Sequence, residues 1–228
     1  MPTPLSASEI SDFRARLCAE AERQFAEQGV EAVSMRSLAK ALGCSATTPY
    51  RYFKNKDEIL AAVRAVILDR ASAMLEAVGR GQSDAVSRAR AHTKAFVDFA
   101  FEEPNAYRLV YDLYQPDEAQ YPELVRANAR SVRVMTGYVE QLIAEGYLQG
   151  DPDTLGYLYF AAVHGLIVLR MAGRRPSTRE EFDSNCREIL RLITRGVRAQ
   201  AANSSSHSAR AVEPSLDAPS TAGQSSPD

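Results

Sequence analysis

The sequence predicts an all-α fold, arranged as a small three-helix unit followed by a larger helical part. Three observations carry that expectation. Runs of β-branched residues with period-two alternation are missing, so no stretch reads as a strand. Ala, Leu, Arg and Glu fill the windows between turn signals, and they are good helix formers on average. Apolar residues also recur every three or four positions, the spacing of one helix face.

The first helix is expected to begin near Ser6 or Ser8, because Ser6-Ala-Ser-Glu9 has the form of a capping box. Its stripe is Ile10, Phe13, Leu17, Ala21 and Phe25, and Gly29 is placed to end it. A short second helix follows Ser34, carries Leu38 and Leu42 one turn apart, and closes at Gly43. Ser45 is expected to cap a third short helix that bears Tyr50 and Phe53. Asn55, with Glu58 three residues on, opens a long fourth helix striped by Ile59, Val63, Val66, Ile67, Arg70, Met74 and Val78.

Beyond Gly79 and Gly81 a second set of helices is expected at 84–102, 104–114, 122–147, 153–172 and 178–200. Pro104, Pro116, Pro122, Pro152 and Pro176 punctuate them near starts and loops. The division is therefore 8–56, then 57–200, with 201–228 as a tail. That tail holds eight serines and three prolines, with Val212 and Leu216 its only large aliphatics. It lacks the apolar surface to offset its ordering entropy and is expected to be disordered.

At 228 residues and 45% hydrophobic content, the chain has material for a sizeable core. A net charge of −2 excludes a uniformly basic nucleic-acid coat but leaves room for a local basic face. No run approaches the roughly 18 consecutive apolar residues of a membrane span, so no membrane partner is expected. The opening Met-Pro-Thr-Pro-Leu-Ser has no basic region followed by an apolar stretch, as a secretory signal would. Cys18, Cys44 and Cys186 are sparse and odd in number, which favours a reducing cytoplasm over a disulfide framework.

Two short helices separated by Gly43-Cys44-Ser45 suggest a helix-turn-helix, whose second helix enters the major groove. Charge sharpens that suggestion. Between Ser34 and Lys56 stand Arg36, Lys40, Arg51, Lys54 and Lys56, with no Asp or Glu among the 23 residues. Thr47, Thr48, Tyr50 and Tyr52 are interleaved with them and offer hydroxyls to phosphate oxygens. A plain solvated basic face is the alternative.

Phe25-x-x-x-Gly29-x-x-x-Val33-Ser34-x-x-x-Leu38-Ala39, followed by Leu42-Gly43-x-Ser45-x-x-Thr48-x-Tyr50-Arg51-Tyr52-Phe53-x-x-Lys56-x-x-Ile59-Leu60, resembles the TetR/AcrR family of transcriptional regulators. The resemblance covers about residues 10–62. It implies an N-terminal helix-turn-helix DNA-binding domain joined to a larger ligand-binding and dimerisation domain. It also implies a homodimer on a double-stranded DNA operator, released by a small-molecule effector, and acting as a repressor. Pro104-Asn-Ala-Tyr107-Arg-Leu109-Val-Tyr111 and Ala162-Val163-His164-Gly165-Leu166 are similar to a C-terminal domain named for a Trp-His-Gly triplet, with Val163 in the first place.

By that resemblance Tyr50, Lys56, Arg36 and Ser45 contact the DNA backbone. Thr47, Thr48 and Arg51 are the candidates for base edges, since arginine engages guanine and threonine meets a thymine methyl. Pro49 departs from the family pattern: with Ser45 as cap it removes the first intrahelical N–H bond and distorts that turn. The implied effector pocket is assigned to Phe96, Phe99, Tyr107, Tyr111, Tyr138 and His164, mostly apolar with a few polar handles. Leu155, Leu158, Ala162, Leu166 and Leu169, with Phe182, Cys186, Ile189, Ile193 and Val197, form stripes suited to a two-fold four-helix interface.

An enzyme is not expected, since no nucleophile elbow, phosphate-binding glycine loop or His-Glu-x-x-His motif is present. No catalytic residue, cofactor or metal is assigned; His92, His164 and His207 lack ligand spacing. The remaining alternative is a dimeric small-molecule-binding protein of the same fold without DNA binding.

Overall fold

The computed structural model describes residues 6–111, 117–174 and 178–210, with side chains through Arg198. Among them the regular elements are all helical. Helices α1 (Ala7–Gln28) and α2 (Met35–Ala41) lead to a 3-10 turn at Pro49–Arg51, then to α3 (Lys56–Arg80). Next come α4 (Ala85–Glu102), α5 (Pro104–Tyr111), a 3-10 turn at Glu118–Gln120, α6 (Pro122–Ala144), α7 (Pro152–Met171) and α8 (Arg179–Arg210). Helix α8 runs ten residues past the expected boundary at 200, and the rest of the tail, 211–228, lies outside the described residues.

The starts lie where the sequence marks them. Ser6 and Glu9 close a full capping box on α1, and Ser34 makes one with Ser37 on α2. Asn55 accepts from the Glu58 amide at 2.8 Å at the head of α3. Helix α2 ends in a Schellman motif: Gly43, at φ 67°, takes the left-handed position, and the Cys44 amide donates to the Ala39 carbonyl at 3.0 Å.

Helix α3 is the axis of the molecule, packing against α1, α4, α5 and α6. Ile59, Leu60 and Val63 meet the N-terminal unit's Leu17, Leu38 and Phe53 in one core that continues through Ile67, Phe96, Tyr107 and Phe182. Val66, Arg70 and Val78 of the expected stripe fall outside it. Val66 and Arg70 are exposed, the arginine because it pairs with Glu22 at 3.1 Å and Glu103 at 2.5 Å. Nor does α3 stop at Gly79, since close packing rather than chain reversal requires that glycine. A Cβ there would lie 2.5 Å from the His92 ring.

Helices α6 and α7 cross just as closely at Gly156, where a Cβ would stand 2.7 Å from Thr136 Cγ2 and 3.3 Å from its Cα. Since one of those atoms is backbone, Gly156→Ala should destabilise the fold by about 1–3 kcal/mol despite its better helix propensity. A thermal melt that stays put would show the crossing to be slack.

No run of 18 consecutive apolar residues is present, but Pro152–Met171 has the length and composition of a helix that could cross a membrane. Counting consecutive apolar residues hides this because His164 interrupts the run. Leu155, Gly156, Tyr159, Val163 and Ile167 are buried against neighbouring helices, so one face of α7 packs into the molecule while the other stays exposed.

Candidate nucleic-acid interface and effector cavity

The segment expected as the third helix is not an α-helix. From Ser45 it advances by i→i+3 bonds: Thr48 N–H to Ser45 O at 2.9 Å, Arg51 to Thr48 at 3.0 Å and Tyr52 to Pro49 at 3.0 Å. Pro49 has no N–H to continue an α ladder from Ser45, and its ring is buried under the turn. Thr48 nevertheless keeps helical dihedrals (φ −59°, ψ −47°) immediately before that proline. The expected capping role of Ser45 is replaced by hydroxyl contacts to Thr47 Oγ1 at 3.0 Å and Thr48 Oγ1 at 2.8 Å.

Around this turn Arg36, Ser45, Thr47, Tyr50 and Arg51 are exposed, and Thr48 is half-buried. Tyr50 presents 58% of its surface, far more than a packed ring would. Two assigned residues face elsewhere. Tyr52 stacks on Phe13 with ring centroids 4.3 Å apart, and its carbonyl accepts from Arg14 at 2.8 Å. Lys56 donates to the Val30 carbonyl at 2.9 Å and stands 3.8 Å from Glu31, so it ties down the loop after α1. Lys40 and Lys54, absent from the assigned set, are exposed and have no ion pair among the described residues. The same acid-free window that pointed to Arg36 and Arg51 contains them.

Arg14 supports this face from below. Its guanidinium lies 4.2 Å from the Phe53 ring centroid and 3.5 Å from Glu123 at the start of α6.

The larger helical part holds a half-open cavity of about 40 Å³, lined by residues of α3, α4, α6, α7 and α8 including Leu75, Phe96, Tyr138 and Val163. Of the six residues assigned to a pocket, Phe96 and Tyr138 line it. Phe99, Tyr107, Tyr111 and His164 instead form the aromatic packing beside it, with Tyr107–Tyr111 centroids 4.7 Å apart. The Tyr107 hydroxyl and His164 Nδ1 are hydrogen-bonded at 2.6 Å. His92, Thr93, Met135 and Phe160 also line the cavity and were not assigned. Their signal was the helical spacing of 92, 93 and 96 on one face of α4.

Burial pushes the Tyr111 hydroxyl up to about 12 and lowers the pKa of both His92 and His164 from the ordinary 6.5. Arg88 adds to the effect at His92. Each histidine thus takes up its proton at lower pH in the folded state than in the unfolded chain, which does so near 6.5. The unfolded state then binds more protons below that value, so stability should fall as pH drops through and below it. Thermal melts between about pH 7.5 and 5.5 check this, and a flat profile would contradict it.

Among the described residues no group of three or more His, Cys, Asp or Glu is placed to hold a metal. Residues 17–63 match bacterial regulatory proteins of the tetR family, and residues 89–193 match the tetracyclin repressor-like C-terminal domain. The chain belongs to the TetR family.

Relatives agree. The chain is 29% identical over 99 residues to the HTH-type transcriptional activator FasR of Mycolicibacterium smegmatis, covering 43% of this chain and 45% of that one. It is 26% identical over 144 residues to the HTH-type transcriptional regulator Rv1816 of Mycobacterium tuberculosis, covering 61% of this chain and 59% of that one. The match thus spans about half the length of these curated relatives. A solved structure of a protein with unknown function from Rhodococcus sp. RHA1 superposes with TM-score 0.70 at 26% identity, over 81% of this chain and 94% of that one. A TetR/AcrR regulator from Thermobifida fusca shares the fold at TM-score 0.58 and 24% identity, over 81% and 98% of the two chains.

Proposed function

We propose that this TetR-family chain is a ligand-responsive, DNA-binding transcriptional regulator, a homodimeric repressor that a small molecule releases from a pseudo-palindromic operator. The supporting observation is that Arg36, Lys40, Tyr50, Arg51 and Lys54 are all exposed in a stretch that has no acid between Ser34 and Lys56. Exposed cations and hydroxyls suit phosphate contact, with Arg51 and Thr47 as the candidates for base edges. FasR is named an activator, and the sign of regulation follows from where an operator lies relative to its promoter.

Dimerisation is supported by the outer face of α7 and α8, though not by all of the residues the sequence singles out. Leu155, Phe182 and Cys186 are buried within the subunit, whereas Tyr157, Leu158, Val168, Leu169 and Leu192 remain exposed. Paired across a two-fold axis these would form a four-helix interface. The wild-type chain should scatter light as a dimer at micromolar concentration, and Leu158→Glu with Leu192→Glu should make it monomeric. A monomeric wild type removes the proposal.

Two reading turns in such a dimer would sit about one helical turn of DNA apart, roughly 34–36 Å. A ligand acts by preferring a subunit shape that spaces them wrongly. Gel shift with DNA from around the chain's own gene, against a scrambled duplex at several salt concentrations, is the test. Specific retardation supports regulation. Its absence favours the second reading, a dimeric sensor without DNA binding, which the 3-10 form of the reading element alone recommends.

A further inference from the structure

Helix α3 carries a buried cation that has few partners among the described residues. Arg64 is only 5% exposed, and its Nη2 donates to the Val110 carbonyl at 3.2 Å in the last turn of α5. Among the described residues its Nε and Nη1 have no hydrogen-bond partner, and Glu118 is an acid whose field reaches it. Two turns further on, Ser72 Oγ is likewise buried without a partner. An unpaired guanidinium inside a protein is strongly unfavourable, and arginine keeps its proton under such burial, so an anion is the natural complement.

What lies beyond Arg64 is apolar and continuous. Tyr111 follows Val110, and its ring meets Phe96 at 6.1 Å and Phe160 at 5.6 Å. Phe96 and Phe160 both line the cavity that Leu75 closes from α3. Leu75 follows Arg64 by three helical turns, so both face the same side, about 16 Å apart along the axis. A buried cation and an apolar cavity thus share one side of α3, with packed aromatic rings between them.

We propose that Arg64 binds the carboxylate of an elongated amphipathic acid whose hydrocarbon body runs along α3 past Tyr111 and Phe96 into the cavity. This rests on the effector reading above and gives that effector a chemical class. Cavity space of about 40 Å³ admits about three waters, so a hydrocarbon chain enters only as the helices part. The ligand therefore selects an expanded subunit, which supplies the differential affinity that release from DNA requires.

The test is calorimetric titration of the full chain with straight-chain carboxylates from hexanoate to tetradecanoate, beside 1-alkanols of equal length. In the wild type, affinity should rise with chain length and favour the acid over the alcohol by about tenfold or more. Arg64→Met should abolish that preference while leaving alcohol binding within about twofold. It should also melt no lower than the wild type, because it removes a buried unpaired charge. Arg64→Lys, which keeps a charge, should retain part of the preference. Acids and alcohols binding alike to the wild type, or Arg64→Met keeping the preference, overturns the role of Arg64 and leaves the apolar cavity standing. If neither series binds, the cavity reading falls as well.

Discussion

Arg51→Ala will lower affinity for the operator by about 1–3 kcal/mol, roughly five- to 150-fold, and relax base preference at one position of each half-site. The residue is exposed at the end of the 3-10 turn, has no ion pair among the described residues, and stands beside Tyr50. Nothing in the fold depends on its guanidinium, so the loss should come without a change in melting temperature. Tyr50→Phe, removing only a hydroxyl, should weaken specific and scrambled duplexes alike if that hydroxyl meets a phosphate. Lys56→Ala should do less to DNA binding than its position suggests, because its ammonium already serves the Val30 carbonyl. Competition titrations at several salt concentrations separate these cases. Equal affinity of Arg51→Ala and wild type for the operator would remove Arg51 from base reading.

Phe53→Ala should be the most damaging single truncation in the N-terminal unit, at about 3–5 kcal/mol. The ring is 1% exposed, sits among Leu17, Leu38 and Ile59, and carries the Arg14 guanidinium on one face. Truncation would leave a void and also free Arg14, which positions the Tyr52 carbonyl at 2.8 Å. Unfolding in urea followed by circular dichroism measures it. Arg14→Met, which keeps the stem over the ring, should cost much less. A loss below about 1 kcal/mol for Phe53→Ala would mean that the small core reseals around the gap.

Most of the architecture was legible because its signals are local. Caps at Ser6, Ser34 and Asn55 are hydrogen bonds between residues three apart, and sequence shows such pairs directly. Pro49 announced a distortion through its missing N–H, although not that the whole segment would wind as 3-10 turns. Legibility ended where orientation depends on distant neighbours. Tyr52 turns inward because Phe13 is there to stack on, and Lys56 because the loop at Val30 leaves a carbonyl in reach. Nothing in the sequence marks Arg64 for burial, yet α5 and the surrounding core cover it. His92 was dismissed for metal spacing, whereas packing against Gly79 makes it part of a cavity wall.

The 25-residue helix α3 belongs to both parts of the molecule, which makes it a rigid arm with a load at each end. Its first turns are clamped in the core shared with Phe53, and its later turns border the cavity through Leu75. From Ser72 to Lys56 the arm is about 24 Å long, so a tilt of about five degrees at the cavity moves its far end by about 2 Å. Because the core runs unbroken from Leu17 to Phe182, no soft seam absorbs that displacement before it reaches the reading turn. Leverage of this kind would let the proposed ligand act on DNA spacing without touching the N-terminal unit.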